Sequence, residues 1–393
     1  MIDLVVYGAR DLLGDERRSD GAVAVEDGTI AAVGPSSDVT RAYPPENAVR
    51  AIDASGKTVL PGFVDSHTHA LFAGDRSDEF AAKLRGESYQ DILAKGGGIL
   101  RTVRAVREAS DEELLAGLLD RLDTVLAGGT TTIEIKSGYG LDARTEARML
   151  EILGLADERH PVDVVPTFMG AHAIPQETDP DDYVTEVIDE QLPACADRAE
   201  FCDVFCEEGV FSVAQSRRIL RAGIEHGLTP KVHAEELSHL GGAQLAAELG
   251  AASADHLLHA TDEDADAMAE AGVVPVFLPG TAFGLGAAYA DPGPFAARGP
   301  VAIASDFNPN CYAPAMGFAI TLACVGMRMA PEAAVRAATE GGALALDRDD
   351  RGVIREGAAA DFVVLDCPSL DHVPYRFGAT PVEAVVKGGE VVR

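Results

Sequence analysis

Residues 61–69 read Pro61-Gly62-Phe63-Val64-Asp65-Ser66-His67-Thr68-His69, and the rest of the chain is organised around them. Val59, Leu60 and Val64, with Phe63 between them, read as a buried strand that ends in two histidines one residue apart. On an extended chain, residues i and i+2 face the same side, so His67 and His69 present two imidazoles to one centre. Two nitrogen donors on one side are half of what a borderline ion such as zinc takes. Alone, such a pair is commonly no more than two half-buried side chains. The reading turns on whether further ligands arrive downstream.

Downstream, apolar strand-like runs alternate with amphipathic stretches. The runs are Thr130–Lys136, Val162–Met169, Phe201–Cys206, Pro230–Ala234, Ser253–Leu257, Val273–Phe277 and Val301–Ser305; helical stretches include 111–127, 143–156, 212–226 and 331–346. With the strand before His67 this makes eight units over residues 61–346, which predicts an α/β fold, a (β/α)8 TIM barrel. A doubly wound open sheet is the other arrangement, but no GxGxxG turn opens a helix here. Insertions at about 70–110 and 171–198 belong at the C-terminal face of a barrel, where active sites sit.

The flanks have a different texture. Ile2–Tyr7, Ala22–Glu26, Ile30–Val33 and Thr58–Leu60 are β-rich, and Asp27-Gly28 is a hairpin signal. Phe362–Leu365, Val382–Val386 and Glu390-Val391-Val392 continue the pattern at the other end. Residues 1–60 and 347–393 are therefore expected to form one small β-sandwich domain from both termini, with 61–346 as the barrel.

Polar residues fall where the strands end. Lys136-Ser137-Gly138-Tyr139, Gly170-Ala171-His172, His233-Ala234-Glu235-Glu236, Asp255-His256 and Asp306-Phe307-Asn308-Pro309-Asn310 each follow an apolar run. Core strands prefer apolar ends, so the recurrence points to chemistry. His67, His69, His233 and Asp306 supply three nitrogens and a carboxylate, a set suited to Zn²⁺ or to iron (Fe²⁺ or Fe³⁺) and not to Mg²⁺ or Ca²⁺. Asp306, beside such an ion, is also placed to take a proton from water.

PGFVDSHTHALFAGDR, EIKSGYGL, FMGAHAIP, VHAEE, SADHL, FLPGTAF and SDFNPN span the whole barrel, and together they resemble the amidohydrolase superfamily. Arg76, the Lys136–Leu141 run and the His172 loop narrow the resemblance to the branch that opens a carboxylated imidazolone ring in histidine degradation. That implies hydrolysis of 4-imidazolone-5-propanoate to N-formimidoyl-L-glutamate at one metal ion, by a homodimer. It also implies that Tyr139 and His172 contact the ring and its substituents, and that Glu236, three residues after His233, moves a proton, with His256 as the other candidate. Glu235 is the less favoured neighbour by spacing. The Arg76 guanidinium offers a fork matched to the substrate carboxylate. Asn308, two residues after Asp306, faces the same way and holds the substrate's polar end. Where the family commonly has glycine then serine, this chain has Asn310 and Cys311, at substrate-binding positions. Lys136 stands where other amidohydrolases carry a carbamylated lysine bridging two metals; here it is expected to be an ordinary structural lysine. A guanine- or cytosine-type deaminase would use much the same metal set, but Arg76 and Tyr139 argue for a carboxylated substrate. An inactive scaffold would be expected to have lost ligands.

Charge bounds the partners. With 32 basic and 64 acidic residues the formal charge is −32, and long-range repulsion opposes nucleic acid and anionic membranes. Lysine is confined to positions 57, 83, 95, 136, 231 and 387. A dispersed acidic surface suits a cytoplasm of high ionic strength, where self-repulsion is screened, so a halophile's cytoplasmic enzyme with a small anionic substrate is expected. No apolar run is long enough to span a bilayer, and the N-terminal MIDLVVYGARD lacks a basic segment before an apolar core. Six cysteines without a CxxC pair read as buried free thiols.

Overall fold

The computed structural model describes residues 2–87 and 96–393. Within the 70–110 insertion, residues 88–95 lie outside the described part. Eight parallel strands form one sheet: β1 (Phe63–Asp65), β2 (Thr130–Lys136), β3 (Asp163–Ala171), β4 (Phe201–Cys206), β5 (Thr229–Ala234), β6 (Ser253–His256), β7 (Val274–Phe277) and β8 (Ala302–Ile303). Their spatial order follows their chain order. Closure between β8 and β1 comes just beyond the strands themselves. Thr68 bridges Phe307 in parallel, the His69 amide donates to the Phe307 carbonyl at 2.9 Å, and the Asp306 amide donates to the His67 carbonyl at 3.1 Å. The segments that carry the expected ligands are thus the segments that close the barrel.

The intervening helices form where the amphipathic pattern places them. Asp111–Ala127 is opened by a capping box in which Ser110 and Glu113 satisfy each other's backbone amides. Ala143–Asp157 is capped by Asp142, and Val213–Glu225 by a second box from Ser212 and Gln215. The stretch 331–346 is helical with a π-turn at Ala337–Gly341. There Gly342 passes so close to β1 that a Cβ would lie 2.3 Å from the Val64 carbonyl oxygen. Among the described residues no helix is long and apolar enough to cross a membrane.

The run Val59–Val64 is not one strand. Thr58–Pro61 pairs antiparallel with Phe362–Leu365 in a six-stranded sheet that mixes both ends of the chain. After Gly62, the Phe63 amide turns to the Gly129 carbonyl and begins the barrel. Gly62 permits the switch because a Cβ there would meet the Thr131 hydroxyl at 2.2 Å. A four-stranded sheet of Leu4–Ala9, Gly21–Glu26, Thr29–Pro35 and Arg50–Asp53 packs on the six-stranded one. Leu4, Val6, Val23, Val25, Val59, Phe362, Val364 and Val386 share that interface as one buried cluster. This is the small β-sandwich. All six cysteines are free, and all but Cys324 are buried.

Candidate active site

Inside the barrel, the period of two along each strand sends polar side chains into the lumen in layers. Lys136 and Glu134 on β2, Asp203 on β4, Lys231 and His233 on β5 and Asp255 on β6 are all buried there. Lys136 Nζ lies 2.7 Å from Glu134 Oε1 and 2.8 Å from Asp203 Oδ2. The other Asp203 contact runs upward, 3.1 Å to His233 Nδ1. His67 Nδ1 is 2.6 Å from Asp255 Oδ2. Asp255 accepts the Nδ1 proton of His67 and leaves its Nε2 lone pair to face the mouth of the barrel, and Asp203 lies close enough to His233 Nδ1 to favour the same tautomer there.

Those Nε2 atoms converge. His233 Nε2 and His69 Nε2 are 3.4 Å apart, and Asp306 Oδ1 is 3.8 Å from both His67 Nε2 and His69 Nε2. Tetrahedral bonds of about 2.0–2.1 Å would set donors about 3.3 Å apart; His67, His69 and Asp306 form one trio with donor atoms within 4.8 Å of one another, and His233 adjoins it through His69. His67 Nε2 is buried with no hydrogen-bond partner, which is costly unless something accepts its lone pair. Desolvation, and then neighbouring cations, hold the pKa of His67 and His69 well below the ordinary histidine value; both are neutral and ready to ligate. For His233, desolvation is outweighed by the charge and hydrogen bond of Asp203, and its pKa is raised. Burial raises Asp306, against hydrogen bonds from Thr281 and Asn308. The donor set fits a transition ion. His256 stands close enough to His67 and His233 to make a second possible trio.

Around this centre the other expected residues take definite places. His172 stacks on His69 at 4.5 Å between ring centroids, with its Nδ1 3.1 Å from the Gly138 carbonyl. Burial pushes its pKa to about 3. Tyr139, buried, lies 5.3 Å from His172 and 5.9 Å from His69, ring to ring. Its loop is held by the Glu146 carboxylate, which accepts from the amides of Gly138, Gly140 and Leu141 at 2.7–2.8 Å. Glu236 Oε2 is 3.7 Å from His256 Nε2, and burial together with the Asp306 charge lifts Glu236 to about 7. Glu235 turns the other way and accepts the amides of Leu240, Gly241 and Ala243 at the start of the next helix. A cavity of about 280 Å³ opens beside Glu236 and Thr281, walled by Leu237, Leu258 and Leu285.

Two expectations need correction. Asn308 does not face the site as a strand residue would, because Asp306 has φ +50° and the chain has already turned. Its amide nitrogen donates to the Asp306 carbonyl and carboxylate, and its oxygen accepts from the Asn310 and Cys311 amides. Asn308 therefore holds Asp306 and shapes its own loop. Arg76 is not free to offer its whole fork: its Nε and one amino group are both 2.9 Å from Glu79 Oε2, in a buried pair. Asn310 Oδ1 accepts from Lys83 Nζ at 2.9 Å, and Cys311 is buried. Lys136, gripped by two carboxylates, has no amine available for carbamylation. Left-handed φ values at Glu235, His256, Leu257 and Asp306 gather at the C-terminal ends of β5, β6 and β8, where strain is held by the surrounding fold. Sequence reading missed Glu134, Asp203 and Asp255 as supports of the site; their signal was a carboxylate inside, or closing, an apolar run.

A metal-ligating barrel mouth above a β-sandwich from both termini defines an amidohydrolase, and the amidohydrolase family model matches residues 58–392. A model of the bacterial imidazolonepropionase-like composite domain matches residues 21–45. The chain is 65% identical to an imidazolonepropionase of Haloarcula marismortui, over 100% of this chain and 96% of the relative. It is 63% identical to one of Halobacterium salinarum (99% and 98% covered) and 48% identical to one of Symbiobacterium thermophilum (100% and 97%). The chain belongs to the imidazolonepropionase family. Among solved structures, it shares its fold with a zinc-bound adenosine deaminase of Xanthomonas campestris (19% identity, TM-score 0.76, 99% of this chain and 92% of that one). An atrazine chlorohydrolase of Arthrobacter aurescens complexed with zinc is similar at 15% identity and TM-score 0.72, covering 99% and 95%.

Proposed function

We propose that this hydrolase opens the ring of 4-imidazolone-5-propanoate with water to give N-formimidoyl-L-glutamate. The observation that carries the reading is the trio His67, His69 and Asp306, with Asp306 Oδ1 3.8 Å from both imidazoles, His233 Nε2 3.4 Å from His69 Nε2, and Glu236 nearby. His67, His69, His233 and Asp306 would hold one zinc or iron ion. Such an ion lowers the pKa of water from about 16 toward about 7 and polarises a carbonyl oxygen.

The chain's own groups then have distinct tasks. The water oxygen adds to the ring carbonyl carbon, and the carbon–nitrogen bond of the ring breaks. Glu236, poised near neutrality, takes a proton from the water and returns one to the departing nitrogen. His256, kept neutral by burial, stands 3.7 Å from Glu236 and is placed to hydrogen-bond at the reacting group. Tyr139 and His172 line the ring on the β2–β3 side. Arg76 offers the part of its guanidinium not spent on Glu79.

We also place the enzyme in the cytoplasm of a salt-accumulating cell, as a homodimer with no nucleic-acid or membrane partner. The charge of −32 supports the first and last of these. The decisive experiment follows loss of imidazolone absorbance with metal-quantified protein in molar salt, alongside guanine and cytosine. Turnover of either base in preference to the imidazolone would overturn the reading.

A further inference from the structure

A subsite for the substrate's carboxylate would rest on the proposed reaction, and Arg76 is not the cation nearest the Asp306 loop by hydrogen bonding. Arg76 carries a positive charge that Glu79 already neutralises at 2.9 Å in a buried pair. Seven residues on, Lys83 sits half-buried near the end of the helix Ser77–Leu84. Of the described lysines, Lys57, Lys136 and Lys387 each meet a carboxylate within 2.9 Å. Lys231 caps the carbonyls of Ala345 and Ser66. Lys83, like Lys231, meets no carboxylate within 4 Å, but it is the half-exposed one of the two, and its partner is a side-chain amide, Asn310 Oδ1 at 2.9 Å. In a chain with twice as many acidic as basic residues, a half-buried ammonium with no carboxylate in contact, and only the more distant charge of Glu79 to offset it, is free to pair with an incoming anion.

Its position relative to the metal ligands is fixed by a short chain of bonds. Asn310 donates its amide to Asn308 Oδ1 at 2.7 Å, and Asn308 Nδ2 donates to Asp306 Oδ1 at 3.0 Å. Lys83 is therefore held to the loop that ends in Asp306, on the side of Arg76. Asn310 keeps its own NH₂ group free of partners among the described residues. We propose that Lys83, with the Asn310 amide, supplies the unneutralised charge of the subsite that binds the substrate's carboxylate, and so determines specificity for an acid over its uncharged analogue. The Asn310 side chain both steers Lys83 and adds a donor. Burial and the nearby Arg76 lower the Lys83 pKa, so a carboxylate relieves it as well as being held by it.

The test compares Lys83→Met, Lys83→Arg and the unaltered holoenzyme at one fixed high salt concentration. Two readouts are taken: KM against kcat for the imidazolone, and calorimetric affinity for imidazole-4-propanoate against its carboxamide. Loss of a charge-assisted bond predicts a rise of roughly 10- to 100-fold in KM and in the acid's Kd, with the carboxamide's Kd little changed. Lys83→Arg should recover most of the acid's affinity. An unaltered KM in Lys83→Met, or equal loss for acid and carboxamide, overturns the proposal. An acid preference abolished by Lys83→Met supports the subsite even if imidazolone is not turned over, and that last result would count against the proposed reaction alone.

Discussion

Replacing Lys136 with methionine strips the lumen of the one cation between Glu134 and Asp203. Lys136 is 0% exposed, with carboxylate oxygens at 2.7 and 2.8 Å. Breaking a buried ion pair from one side costs about 3–5 kcal/mol, because the other charge stays behind. Here two charges stay behind, but neither is bare. Glu134 keeps the Thr68 amide at 3.2 Å, and Asp203 keeps the Val204 amide at 2.7 Å and His233 at 3.1 Å. The lower end, about 3 kcal/mol, is therefore expected. The pH dependence has a definite sign. In the parent, desolvation of Asp203 is outweighed by His233 and Lys136, and its pKa lies well below the ordinary value. That contribution is present above about pH 3.9 and lost only as pH falls through the lower, folded value. Without Lys136, Asp203 loses one of the two groups that hold its pKa down, so less of its stabilisation is there to lose and the variant's deficit shrinks as the pH falls below about 3.9. Urea unfolding of chelator-treated protein in fixed molar salt measures both effects. Adding Glu134→Gln should recover about 1 kcal/mol or more, since one stranded charge is gone. A deficit under about 1 kcal/mol, or one that widens on acidification, would refute the reasoning.

Asp255→Asn weakens the acceptor on His67 Nδ1 and its choice of tautomer, so metal affinity should fall roughly 10- to 100-fold, read by competition with a chromophoric chelator. Glu236→Gln should retain the ion while kcat drops roughly 10²- to 10⁴-fold, the usual weight of a positioned acid–base group. Because Glu236 must be ionised to accept a proton and lies near 7, kcat/KM of the parent should rise with pH up to that region. A bound cation can only move the midpoint lower. Metal removal should abolish turnover and lower the unfolding temperature, with recovery on adding zinc or iron, because an ion bound only by the folded state stabilises it by mass action. Dialysis to low salt should destabilise the protein as screening of its −32 charge is lost; unchanged unfolding at about 0.1 M salt would contradict that.

The barrel could be read ahead of the structure because parallel strands buried on both faces leave largely apolar runs, as in Val274–Phe277 or, but for one aspartate, Phe201–Cys206. The same apolar character hid the change of partner at Gly62. Pro61-Gly62 marks a break within Val59–Val64, but not that the half before it pairs with Phe362–Leu365 and the half after it with Thr130–Ile133, since both partners are distant in sequence. The ligands were legible for a local reason: they stand at strand ends, where an apolar run stops on a histidine or aspartate. Their supports were not. In a chain with 64 acidic residues, Asp203 carries no mark except that it interrupts Phe201–Cys206, and Glu134 none except its spacing of two from Lys136. That spacing is the physical link between the two layers. On β2 it stacks Glu134 beside Lys136 in the lumen, and on β5 it sets His233 above Lys231, so each inward ligand is braced by charge from the turn of pleat below or the strand beside it. Asp203 joins both layers, through Lys136 on one side and His233 on the other. The orientation of a metal ligand and the stability of the barrel interior therefore depend on the same carboxylate. A substitution such as Asp203→Asn should lower metal affinity and unfolding free energy together, and if either moved without the other, the two layers would not be one network.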